Sequence, residues 1–179
     1  MKLFLYDKFF EAFIRLNKGT QKKVVEFKKK FQENSKSAAI HLEPIIDFKD
    51  DSLRTARIDQ KYRAILKVVG NDAYYLLWVD NHDEAMDWAR NKRFDWNQNT
   101  NSMQVFSSEA VVEAEQKERN TNTDKAEARL LEGYKDEELE AIGVPKALLP
   151  SVRNIDGLEE LEALEKHLPR EAFENLFSL

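Results

Sequence analysis

The chain has 179 residues, 42% hydrophobic and 34% charged, with no cysteine and a formal net charge of −5. That length supports one domain and a smaller second unit. The absence of thiols excludes disulfide scaffolds, thiolate zinc sites and cysteine nucleophiles and fits a reducing cytoplasm, while no run reaches the roughly 18 apolar residues of a membrane span.

The charge is divided unevenly. Residues 1–96 hold 19 Lys and Arg against 15 Asp and Glu, a net +4, and residues 97–179 hold 9 against 18, a net −9. A basic front and an acidic back predict two units with different partners, or partners for each other. The opening MKLFLYDKFF carries acid at Asp7 and no small-residue cleavage site, so it reads as a strand entering a helix rather than a signal peptide.

KLFLYD (2–7) is the first expected strand. Asp7 is a candidate cap for a helix whose stripe is Phe9, Phe10, Phe13, Ile14 and Leu16. NKG (17–19) stops it, with Gly19 as a left-handed cap, and Thr20 is a candidate cap for a second helix running to about Asn34. In that helix Val24, Phe27 and Phe31 share one face, and Lys22, Lys23, Lys29 and Lys30 lie largely elsewhere. Residues 35–52, with Pro44, read as an irregular connection.

Three strands follow: LRTARI (53–58), YRAILKVV (62–69) and AYYLLWVD (73–80), the last two joined by the hairpin signal GND (70–72). The third is apolar on both faces, as a covered central strand is. HDEAMDWARNKRF (82–94) reads as a helix. NQNTNSMQ (97–104) has no apolar period and reads as a linker, SSEAVVEAEQKER (107–119) as an exposed helix, and NTNTD (120–124) as a break. Residues 125–179 are acidic, Leu-rich and helical in pattern. EELEAIGVP (137–145) and EELEALEKHLP (159–169) look like two imperfect copies of one short helix stopped by proline, a weak repeat that also fits a small helical bundle or an extended docking arm.

Side chains alternate across a strand. Ala64, Leu66 and Val68 therefore share one face of the middle strand, and Arg63, Ile65 and Lys67 share the other. Matching apolar faces brings Arg57 and Arg63 together on the non-core surface, while Arg54 has the opposite parity. A guanidinium offers a planar fork of donors suited to phosphate, and several forks on one sheet would follow a nucleic-acid backbone. The competing reading is a solvated face with ion pairs to Asp50, Asp51 and Asp59. His41, His82 and His167 are scattered, so no metal or cofactor is expected, and the period of Trp78 and Trp88 fits packing, with Trp96 left open.

The order β-α-α-β-β-β-α, with LRTARIDQKYRAILKV and YYLLWVDNHDEAMDWA, resembles the RelE/ParE toxin superfamily over about residues 1–95. The resemblance implies an antiparallel sheet whose basic residues bind messenger RNA on the ribosome and orient its own 2′-hydroxyl for attack on the phosphate; ParE-like members instead poison gyrase. Arg63 stands at the family's strand arginine, with Arg57 and Arg54 among the basic residues of the preceding strand. His82 and Asp83 stand where a basic pair is usual, and Met86 stands near the usual tyrosine; an acid replaces a cation there, and a thioether is neither acid nor base. The implied catalytic set is thus Arg63, Arg57 and His82, in degenerate form, and the implied nucleic-acid-binding set is Arg54, Arg57, Lys61, Arg63 and Lys67.

RIDQKYRAIL, YYLLWVDNHDEAMDWA, YKDEELEAIGVPKALLPSVRNI and LEELEALEKHLPREAFENL together are similar to the amino-terminal region of some bacterial UvrD/Rep-like superfamily I helicases, which carry a RelE-like module and acidic helices before the motor. No GxxxxGK[ST] occurs, so a P-loop ATPase is not encoded in these residues. The expectation is an α+β chain: a RelE/ParE-like β-α-α-β-β-β(-α) domain with an antiparallel sheet over 1–96, a linker with one exposed helix over 97–124, and a small acidic all-α segment over 125–179. Its expected partners are RNA or DNA, and a helicase motor or the ribosome. Either it is a nucleic-acid-binding accessory module, or it is an endoribonuclease held back by its acidic helices.

Overall fold

The computed structural model describes residues 1–46, 48, 50–113 and 129–179. They form two compact units, Met1–Arg90 and Asn91–Leu179. The chain is α+β, and the first unit follows the expected order with one addition, a two-residue strand within the stretch 35–52 read as irregular: β1 (Lys2–Leu5), α1 (Phe9–Arg15), α2 (Lys18–Glu33), the added β2 (Glu43–Pro44), β3 (Leu53–Arg57), β4 (Tyr62–Gly70), β5 (Ala73–Asn81) and α3 (His82–Arg90).

The sheet order is β1-β5-β4-β3-β2, antiparallel except where β1 runs parallel to β5. β5 is thus an interior strand, flanked by β1 and β4, which explains why Leu76, Leu77, Trp78 and Val79 are all buried. Ile65 pairs with Trp78 but the next residue, Leu66, pairs with Leu76, so Leu77 is an extra residue in β5 and forms a bulge. Asp72 at φ 58° and Gly70 at φ 155° make the tight β4–β5 turn read from GND.

The helical hairpin covers one face of the sheet, with Phe31 packed edge-on against Tyr74 at 5.2 Å. Val24, Phe27 and Phe31 are buried as their spacing requires. The caps differ from the sequence reading. Asn17, not Thr20, opens α2, its Oδ1 accepting the Thr20 N–H at 2.9 Å, and Gly19 lies within the first turn rather than closing α1. Asp7 caps nothing: α1 starts behind Lys8 with no side-chain cap bond. Of the α1 stripe, Phe9 is buried while Phe10 and Ile14 stand exposed, because α1 is short and only one side of it meets the sheet.

α3 lies against the opposite face, its Trp88 stacked on Trp78 at 4.7 Å and 6°. It ends at Arg90, four residues earlier than the pattern suggested, because Lys92–Asn97 forms a strand, β6.

In the second unit β6 pairs antiparallel with β7 (Ser102–Ser107). The polar run 97–104, expected as a linker, is instead the end of one strand, a turn and the start of another. The polarity misled because the polar residues are bonded inward: Gln104 is buried and its amide donates to the Gly143 carbonyl, and the Asn97 amide donates to the Glu140 carbonyl at 3.1 Å. Residues 108–113 are helical, and the remainder of the expected helix 107–119 and the break 120–124 lie outside the described residues.

The later elements are α4 (Asp136–Ala141), a 3-10 turn (Lys146–Leu148), α5 (Leu149–Arg153), α6 (Leu158–Ala163) and α7 (Arg170–Phe177). The two sequence copies coincide with α4 and α6. Each buries one leucine, Leu139 or Leu161, and then an apolar residue just before its proline, Val144 or Leu168, in a core shared with Phe106, Ala110 and Val111 of the hairpin segment.

Candidate nucleic-acid interface

The register settles parity. Arg57 lies directly opposite Arg63, Thr55 opposite Ile65 and Leu53 opposite Lys67, all on the face that α3 covers. Arg54 pairs with Leu66 on the face of the helical hairpin. The face bearing the arginines is therefore not open along its length: Ile65, Trp78 and Leu53 are buried on it, because Trp88 of α3 returns over the middle of the sheet. What is left open is one end, where β3 finishes, β4 begins and β5 runs into α3.

At that end Arg57 is exposed. Its backbone N–H donates to the Ile40 carbonyl at 2.7 Å, which fixes the strand end, and its guanidinium is left free among the described residues. Arg63 is half-buried and folded back, its Nη1 donating to the carbonyls of Asp59 at 2.8 Å and Tyr62 at 3.1 Å. Among the described residues no carboxylate forms an ion pair with either arginine. Two like charges placed opposite each other on a ladder repel, typically by a few tenths of a kcal/mol to about 1 kcal/mol. An anion between them would reverse that sign.

Asp59 organises the turn, a role sequence reading missed although an Asp at the head of a tight turn is the signal for it. Its Oδ1 accepts the N–H groups of Lys61 and Tyr62, both at 2.9 Å, and its Oδ2 meets Lys23 Nζ of α2 at 2.7 Å. Partial burial opposes its ionisation, but these donors outweigh that and hold its carboxyl below the usual range. Exposed Lys61 leans over the Tyr62 ring, 5.6 Å from its centroid.

The remaining sequence candidates separate. His82 joins this end through its backbone, donating to the Lys61 carbonyl at 2.8 Å; its Nδ1 lies 2.9 Å from Asp83 Oδ1, with the side chain 55% exposed. Lys67 shares the arginine face but sits four residues along β4, roughly 13 Å away. It is mostly buried there and bound to Asp50 Oδ2 at 2.8 Å and to Ser52 Oγ at 2.7 Å. Arg54 spends its Nη1 on the carbonyls of Asp51 at 2.6 Å and Leu53 at 2.7 Å. Arg57, Lys61, Arg63 and His82 are therefore together, and Arg54 and Lys67 are elsewhere. Among the described residues no group of acidic or histidine side chains could hold a metal ion, and no helix is long and apolar enough to cross a membrane.

No protein-family model matches the chain, and no curated protein matches it. Among solved structures, it is similar to a YoeB/ParE toxin from Agrobacterium tumefaciens (15% identity, 46% of this chain and 99% of that one, TM-score 0.39). It is also similar to the RelB-RelE antitoxin-toxin complex from Methanococcus jannaschii (13%, 48% and 96%, TM-score 0.40). A third similar structure is the archaeal RelE-RelB complex from Pyrococcus horikoshii (18%, 45% and 92%, TM-score 0.37).

Proposed function

We propose that the open sheet end bearing Arg57, Arg63 and Lys61 contacts nucleic-acid phosphate. The module is non-catalytic or weakly catalytic and serves as an amino-terminal accessory region of a UvrD/Rep-like DNA helicase in the cytoplasm. The observation that supports this most is the direct apposition of Arg57 and Arg63 with no carboxylate paired to either among the described residues. Asp80 of β5 stands opposite Arg63 but forms no ion pair with it, so both guanidinium groups keep donors for an anionic guest. The downstream resemblance of the acidic helices supplies the helicase context. The test is binding of labelled single- and double-stranded RNA and DNA across a salt series. Salt-sensitive binding that Arg57→Ala and Arg63→Ala each weaken supports the reading, and absence of binding at low salt removes it.

A second reading is an endoribonuclease that uses the RNA's own 2′-hydroxyl. It is favoured by the tie between the His82 backbone and the Lys61 carbonyl, which brings an imidazole to the same sheet end. Its side chain is exposed there, within reach of a bound guest. Growth arrest and RNA cleavage on expression, both lost in Arg63→Ala, support this reading; intact RNA and normal growth remove it and leave the binding module standing.

A further inference from the structure

The outer face of the helical hairpin carries features that neither reading uses. Phe10 and Ile14, four residues apart on one side of α1, are 53% and 70% exposed, and Val25 of α2 is 46% exposed. Around them α1 and α2 hold seven Lys and Arg against three Glu. Among the described residues Lys23 is the one cation of that set held in an ion pair. An apolar ridge among unneutralised cations fits a partner that is both acidic and apolar.

Such a partner lies in the same sequence. Residues 156–179 hold seven Asp and Glu against two Lys and Arg. Leu158 at the start of α6 and Phe177 at the end of α7 are 58% and 52% exposed, and Phe177 extends an aromatic pair with Phe173 at 5.9 Å. Glu159, Glu162, Glu165 and Glu171 are exposed and form no ion pair among the described residues.

We propose that the α1–α2 face of one chain docks the acidic α6–α7 helices of a second copy of this chain. The two surfaces match in both respects that decide a contact of this kind: opposite charge, which steers approach, and exposed large apolar groups, which supply burial. A surface of phosphates would meet the lysines but leave Phe10 and Ile14 without an apolar partner. Each chain carries both halves of the contact, so a second copy supplies the complement of either surface.

The test uses full-length chains. One variant carries Phe10→Glu and Ile14→Glu, the other Leu158→Lys and Phe177→Lys; all four positions are exposed, and circular dichroism melts check that both variants fold. Sedimentation of the wild type at low salt and high micromolar concentration is expected to show a dimer, whose dissociation constant rises about tenfold or more in high salt. Each variant alone is expected to be monomeric. Their equimolar mixture is expected to recover a dimer, because one intact hairpin then meets one intact acidic surface. A monomeric wild type, a variant that self-associates like the wild type, or a mixture that stays monomeric overturns the proposal. So does a monomeric wild type whose hairpin variant loses affinity for anionic vesicles or single-stranded RNA, since the face then belongs to that ligand.

Discussion

Arg57 on β3 and Arg63 on β4 are cross-strand partners, yet their guanidinium groups are held differently: Arg63 is bound to two backbone carbonyls of its own turn, and Arg57 is free among the described residues. Removing each should therefore separate binding from stability. Arg57→Ala relieves like-charge repulsion and is expected to leave the melting temperature unchanged or slightly higher. Arg63→Ala loses two hydrogen bonds and is expected to cost about 1 kcal/mol. Each should lower the slope of log affinity against log salt by about one. Calorimetry and salt-series anisotropy read both effects; an unchanged slope in both variants would take the pair out of the interface.

Arg54→Ala and Lys67→Ala are expected to leave nucleic-acid affinity at wild-type level, since Arg54 faces the helical hairpin's side of the sheet and Lys67 is bound within the loop preceding β3. Lys67→Ala should still destabilise the fold by about 2 kcal/mol, because it strips a largely buried carboxylate of its charged partner. Affinity loss in either variant comparable to that of Arg57→Ala would mean that the contact surface runs the length of the sheet.

Asp50 gives a pH signature. Burial opposes its ionisation, but donors from Lys67 and Ser52 outweigh that and lower its folded-state pKa. A depressed carboxyl pKa contributes stability that is present above the unfolded value of about 3.9 and lost as pH falls through the folded value. Asp50→Asn is thus expected to be less stable than wild type at neutral pH, with the gap closing as both are acidified below pH 4. A gap that stays constant across acid denaturation curves contradicts this assignment.

Leu139→Ala and Leu161→Ala are each expected to cost about 2–5 kcal/mol, since both side chains are fully buried in one core. Comparable costs would support the reading of α4 and α6 as equivalent copies. Denaturant unfolding, with m-values compared, checks this; a near-neutral result at one position would show that the copies match in sequence but not in packing role.

The sequence carried most of the sheet. Strand parity in LRTAR and YRAILKV was enough to place Arg57 beside Arg63 and to put Arg54 on the other face. It did not reveal that α3 returns over that same face. Trp88 offered only a helical period, and whether it stacks on Trp78 depends on the turn at Asn81–His82, which no local preference dictates. The β6–β7 hairpin was hidden for a different reason. Asn97 and Gln104 count as polar in any pattern, and their burial makes sense only with carbonyls about 40 residues away. Asn17 rather than Thr20 caps α2, and Gly19 falls inside that helix instead of closing α1, because capping depends on where helical dihedrals begin, which is finer than composition can resolve.

The extra residue at Leu77 shifts the phase of β5. Tyr75 and Trp78 are three positions apart, and an unbroken pleat would send them to opposite sides; with the bulge, they project alike, so Phe4 stacks on Tyr75 and Trp88 stacks on Trp78 over one surface. Taking out that one residue would leave Leu66 opposite Leu76, Ile65 opposite Trp78 and Ala64 opposite Val79 in an unbroken ladder, so every later side chain of the strand would keep its face. The segment therefore carries one removable letter: a variant lacking Leu77 should fold with Val79 still buried and Asp80 still facing Arg63.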